Sequence, residues 1–144
     1  MRAVIHYGQK YANAIWNGAE LIFGDGDTIF TQFPASTSIV VHEMSHGLVY
    51  NTAPLIYEGQ PGALSESIAD VFGAAAEQWS KNQKPAEASW LVGAGCLAPG
   101  IKGVALRSMK APGTAYNDPR IGKDPQPDYM RNYIGTTEDF GGVY

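Results

Sequence analysis

The pattern of apolar and polar positions changes character twice along the chain. Before about residue 36 it consists of short apolar runs broken by Gly, Asn and Asp. "AVIHY" has strand character, "NAIWNG" ends in a turn signal, and "ELIFGDGDTIF" reads as two strand segments around a Gly/Asp turn. The middle of the chain switches to helical spacing. A first helix is predicted from about Thr37 to Thr52, with Ser36, Thr37 and Ser38 as N-cap candidates and Pro54 just past its end. A second is predicted from about Pro61 to Trp79, where Leu64, Ile68, Val71, Phe72, Ala75 and Trp79 recur at helical spacing. Pro61 suits a first-turn position. The connection "APLIYEGQ" is short, so the two helices are expected to pack together. Beyond Lys81 the period is lost, and "GAGCLAPGIKG" and "APGTAYNDPRIGKDPQPDY" are rich in Gly and Pro. Strand segments, two helices and a long irregular region predict an α+β fold.

Composition narrows the class. The 144 residues are 44% hydrophobic and 17% charged, which suits one globular domain rather than a disordered chain. A net charge of −4 offers no footprint for nucleic acid or anionic lipid. No apolar run approaches membrane-spanning length, and the start "MRAVIHYGQK" has too short an apolar core for a signal peptide. The single cysteine, Cys96, excludes an internal disulfide.

The chemistry concentrates in "IVVHEMSHGLVY". Residues four apart on a helix are about 40° apart around the axis and one turn along it, so His42 and His46 project together and can share one ion. Glu43 points to the side, free to act on a water at that ion, as in the His-Glu-x-x-His zinc protease arrangement. Two satisfied histidines in a buried helix would be the structural alternative. The third histidine, His6, lies far upstream on a strand-like segment, so a carboxylate is expected to complete the site. Val49 and Thr52 stand where a metzincin needs Gly and His, which excludes that class. The second helix offers Glu66 and Asp70, four apart on one face. One would ligate and the other would orient a histidine; longer reach favours Glu66, and spacing alone leaves both open. Asp25 and Asp27 lack the spaced acidic ligands of an EF-hand loop and are expected to serve a hairpin turn.

"VVHEMSHGLVYNTAPLIYEGQPGALSESIADVFG" resembles the thermolysin-like neutral metalloproteases, especially their protealysin-like branch. Nineteen residues separate His46 from Glu66, the family's spacing. "IHYGQKYANAIWNG", "FGDGD", "WLVGAG", "VALRSMKAPGTAYNDP" and "GKDPQPDYM" also look like family segments. The resemblance implies a thermolysin-like zincin core and a secreted, zinc-dependent endopeptidase acting on peptides or proteins, with one zinc ion. It implies His42, His46 and Glu66 as zinc ligands, Glu43 as general base and Asp70 as the carboxylate behind a ligand histidine. Tyr57 matches a hydroxyl donor to the developing oxyanion. Asn13 and the Ala14 backbone match groups that align the substrate main chain, and Arg107 matches a side chain binding a substrate carbonyl. Phe30, Phe33, Ile39 and Leu106 match the apolar pocket for the residue after the scissile bond.

The chain also departs from the family. Tyr144 stands where the family carries a histidine that donates to the transition state, and Phe140 where it usually has asparagine, while Asp139 matches the residue orienting that histidine. Of the family's calcium-binding acidic cluster only Glu77 remains, with Ser38, Ser89, Leu91 and Ala94 at the other positions, so that site is expected to be lost. Residues 1–144 are expected to form one part of a catalytic domain: strands over 1–35, zinc-binding helices over 36–80, and an irregular region over 81–144. Without the family's C-terminal helical lobe, an apolar face would be exposed and favour association. A zinc-binding module without turnover is the competing reading, motivated by Tyr144.

Overall fold

The computed structural model describes residues 1–135. Three short strands form one sheet: β1 (Arg2–Val4), β2 (Ala14–Trp16) and β3 (Glu20–Phe23). β3 is central, parallel to β1 and antiparallel to β2. Its alternation is suppressed because Leu21, Ile22 and Phe23 are all buried. The second half of the expected hairpin is not a strand paired with β3. Gly26 instead bridges Thr31, and Phe30 bridges Leu97 from the distant Gly/Pro-rich region. Asp27 explains the departure. Its carboxylate accepts the Ile29 and Phe30 N–H groups at 2.7 and 2.9 Å, closing a local turn that redirects the chain away from β3. Those bonds hold the Asp27 carboxyl below its ordinary value.

Helix α1 spans Thr37–Thr52, as the sequence predicts. Ser36 occupies the N-cap, but its hydroxyl pairs with the Ser38 hydroxyl rather than with the helix backbone. Pro54 disfavours helical backbone at Ala53, where the helix closes. Helix α2 spans Gly59–Ser80 and begins two residues before Pro61. Gly59 supplies the reversal into it at φ 56°, a conformation that glycine adopts without penalty.

The two helices do not meet through the apolar stripe of α2. Leu64, Val71, Phe72 and Trp79 are exposed, Trp79 at 85%. The face that is buried carries Gly62, Ser65, Ala69, Asp70, Gly73 and Ala74, and α1 contributes Ser38, His42 and Ser45. Small side chains allow the close approach, and polar ones occupy the functional side.

The other face of α1 packs on the sheet. Ala14, Leu21, Phe23, Phe33, Ile39, Val92 and Cys96 form the core there. The region after α2 carries two-residue strands: β4 (Leu91–Val92) pairs with β5 (Arg107–Ser108), and β6 (Asn117–Asp118) with β7 (Gly122–Lys123). Polar anchors replace long ladders here. Asp118 accepts the Lys102 and Arg120 N–H groups and the Arg120 guanidinium. Asp124 accepts the Ala115 and Gln126 N–H groups. No helix among the described residues is long and apolar enough to cross a membrane.

Candidate metal centre

His42 and His46 leave α1 on one side, and Glu66 reaches them from α2. His42 Nε2 lies 3.1 Å from His46 Nε2 and 3.1 Å from Glu66 Oε2, and His46 Nε2 lies 3.3 Å from Glu66 Oε1. Tetrahedral coordination with bonds of about 2.0 Å places ligand atoms about 3.3 Å apart, so these donors match the edges of a zinc site. The donor chemistry fits as well, with two imidazole nitrogens and a carboxylate, all largely buried. Among the described residues this is the one metal-competent group of three or more His, Cys, Asp or Glu side chains.

Glu66 and Asp70 meet opposite edges of the His42 ring because of their places on α2. Asp70, one turn further on, meets the opposite edge of the His42 ring, and its Oδ1 accepts the Nδ1 proton at 2.7 Å. That bond sets the tautomer and turns the Nε2 lone pair toward His46 and Glu66. Arg107 holds Asp70 in turn through Nε at 2.6 Å and Nη2 at 2.8 Å. Burial alone would raise the Asp70 carboxyl, but the bonds from His42 and Arg107 outweigh it and lower its pKa to about 2. Burial would likewise lower His42, yet its bonds to Asp70 and Glu66 raise it to about 9. His46 is lowered by burial, against the pull of the Glu66 carboxylate. Burial would raise Glu66, but His42 and His46 keep it below its ordinary value.

Glu43 stands beside the triad, with Oε1 4.0 Å from His42 Nε2. Its Oε2 accepts the Trp16 N–H at 2.9 Å, which ties the carboxylate to strand β2. Burial pushes its pKa up to about 7, against the pull of His42. A carboxylate tuned near neutrality suits proton transfer in both directions. The Tyr57 hydroxyl donates to Glu66 Oε1, and its ring stands edge-on to His46 at 6.0 Å.

The chain belongs to the thermolysin metallopeptidase family. Residues 1–50 match the family model described as the thermolysin metallopeptidase catalytic domain, and residues 53–144 match its alpha-helical domain. An extracellular metalloprotease of Pectobacterium carotovorum is 50% identical over all of this chain and 42% of its own length. Thermolysin of Alicyclobacillus acidocaldarius is 39% identical over all of the chain and 24% of its own length. The solved precursor of protealysin from Serratia proteamaculans superposes with a TM-score of 0.93 at 52% identity, covering 99% of this chain and 44% of that one. The chain thus spans less than half the length of these relatives. The two family models meet at the C-terminal end of α1, so the triad takes its histidines from one and its glutamate from the other.

A cavity of about 650 Å3 opens over the triad. Asn13, Ala14, Phe33, Ile39, Leu106 and Arg107 line it together with the ligands, Glu43 and Tyr57. The Asn13 side chain accepts the Ala14 N–H at 2.9 Å. Phe30 does not line the cavity; it packs against the core behind it. Trp16, Val49, Tyr50 and Leu55 also form the wall, and the sequence reading passed over them. The most consequential omission is the Trp16 N–H. A backbone donor carries no side-chain signature, so no residue pattern could have shown it. Asp139 and Tyr144 lie outside the described residues.

Proposed function

We propose that this chain forms the zinc-binding portion of a secreted thermolysin-type endopeptidase that hydrolyses peptide bonds. The observation that carries the proposal is the donor triangle of His42, His46 and Glu66 with Glu43 beside it. Zinc held there supplies Lewis acidity that polarises a carbonyl and acidifies water. The chain's own residues do the rest. Glu43 takes the proton of the attacking water and returns it to the leaving amine. Tyr57 donates to the carbonyl oxygen as charge builds on it, and Arg107 at the cavity wall binds a substrate carbonyl. Asn13 and the Ala14 backbone align the substrate main chain beside strand β2. Phe33, Ile39 and Leu106 accept an apolar side chain after the scissile bond, with Phe30 backing that wall from the core. The extracellular designation of relatives supports secretion. The exposed stripe of α2 supports association of that face with other polypeptide.

The test is peptide hydrolysis that a chelator removes and zinc restores. Glu43→Gln is expected to retain zinc and lose about 10²–10⁴-fold in turnover. Stoichiometric zinc binding without any turnover by the parent chain would select the competing reading, a zinc module without catalysis, which Tyr144 motivates.

A further inference from the structure

The three contacts between α1 and α2 that flank the metal site form an antiparallel ladder. Ser38 meets Gly73, His42 meets Asp70, and His46 meets Glu66. The first rung has no side-chain chemistry, and it leaves no room for a Cβ. A Cβ on Gly73 would lie 2.4 Å from the Ser38 carbonyl oxygen, 3.2 Å from its carbon and 3.4 Å from its Cα. All three are backbone atoms of a helix, so no rotamer change relieves the contact. Gly47 differs, because a Cβ there would meet only the Trp16 ring at 3.2 Å.

We propose that Gly73 is a positioning residue for the metal triad: its bare Cα lets α2 close on the Ser38 carbonyl, and that closure sets the reach of Glu66 to the two histidines. The proposal rests on the zinc reading above. Ser38 cannot retreat from the contact. It is fully buried, its hydroxyl accepts the Gly93 N–H at 3.0 Å, and it pairs with the Ser36 hydroxyl at 3.1 Å. The next residue, Ile39, is anchored in the core against the sheet. With α1 pinned from behind, an added methyl must displace α2 by about 1 Å, from 2.4 Å to the ordinary 3.4 Å contact.

The consequence for the site is selective. The His42–His46 side of the triangle lies within α1 and does not depend on helix spacing. The two sides that include Glu66 cross between helices and lengthen as the helices part. A triangle suited to bonds of about 2.0–2.2 Å then becomes one suited to a larger ion. Gly73 sits seven residues from Glu66, roughly 10 Å along the axis, so it acts without touching the metal.

The experiment compares Zn2+ and Cd2+ affinities of the parent chain and Gly73→Ala by competition titration. Zinc binding is expected to weaken about tenfold or more, the scale of losses around metal ligands. Binding of the larger, soft Cd2+ should weaken less, so the affinity ratio shifts toward cadmium. General destabilisation would weaken both ions by one factor, because it acts through the shared unfolded state. Should Gly73→Ala unfold without metal, the same ratio is read from the rise in unfolding midpoint that each ion produces. Ile101→Ala, in the buried part of the Gly/Pro-rich region, serves as the destabilised control. An unchanged ratio in Gly73→Ala, or an equal shift in Ile101→Ala, overturns the proposal. A parent chain whose zinc affinity is indifferent to Glu66→Ala overturns the zinc reading itself, and the Gly73 role with it.

Discussion

Asp70 faces His42 with one carboxylate oxygen, 2.7 Å from Nδ1, while Arg107 grips the same carboxylate through two nitrogens. One buried anion therefore serves two partners: it orients the His42 imidazole and neutralises the Arg107 guanidinium at the cavity wall.

Removing that anion should be costly in two separate ways. Asp70→Ala is expected to weaken zinc binding by about 10–100-fold, because the His42 ring loses its tether. It should also destabilise the fold by about 3–5 kcal/mol, because Arg107 is left buried without its partner. Zinc competition and urea unfolding measure the two effects independently. Equal zinc affinity in parent and variant would show that helix α1 alone orients His42.

Tyr57 offers a test of the oxyanion role. Its hydroxyl points into the site, onto Glu66. Tyr57→Phe should raise the barrier by about 2.7–4 kcal/mol, seen in kcat, with KM little altered. A change confined to KM would make Tyr57 a binding residue instead.

The irregular region has its own acid sensitivity. Hydrogen bonds from the Arg120 side chain and from the backbone of Arg120 and Lys102 hold the Asp118 carboxyl well below its ordinary value of 3.8. A carboxyl depressed in the fold contributes stability that is present above its unfolded pKa and disappears as pH falls toward the folded one. The parent should therefore lose stability more steeply below about pH 4 than Asp118→Asn, whose side chain does not titrate. Superimposable acid limbs in chemical denaturation at stepped pH would remove Asp118 from the account.

Calcium provides a contrast with zinc. The Glu77 carboxylate is paired with the Lys81 ammonium, and Ser38, Ser89, Leu91 and Ala94, at the other positions of the family's acidic cluster, carry no carboxylate. Millimolar calcium at constant zinc is expected to leave the thermal midpoint where it was. A calcium-dependent rise, abolished by Glu77→Gln, would locate a cation site there after all.

Much of the site was legible before any coordinates. The four-residue spacing of His42 and His46, the extent of α1, and the scarcity of histidine that demanded a carboxylate all follow from chain order. Helical periodicity is a local property, so it survives translation into three dimensions. The same spacing left Glu66 and Asp70 open, since both lie on one face and only the longer reach of glutamate favoured Glu66. Their separate roles appear only when α2 lies antiparallel to α1, which puts one carboxylate at Nε2 and the other at Nδ1 of the same ring.

The hairpin expected after β3 failed for a related reason. Alternation marks residues able to pair, but not their partner. Phe30 found Leu97, far along the chain, once Asp27 had turned the backbone. The apolar stripe of α2 was equally visible and equally silent about direction. It faces outward, because the approach to α1 needed Gly73 and Ala69 rather than Phe72 and Leu64. The residues themselves marked the candidate ligands, the candidate base and the helices that carry them. The tertiary structure alone decided which carboxylate lies at Nε2 of His42 and which at Nδ1, which backbone N–H holds Glu43 and how closely two helices meet, because those are distances between segments that a linear pattern does not contain.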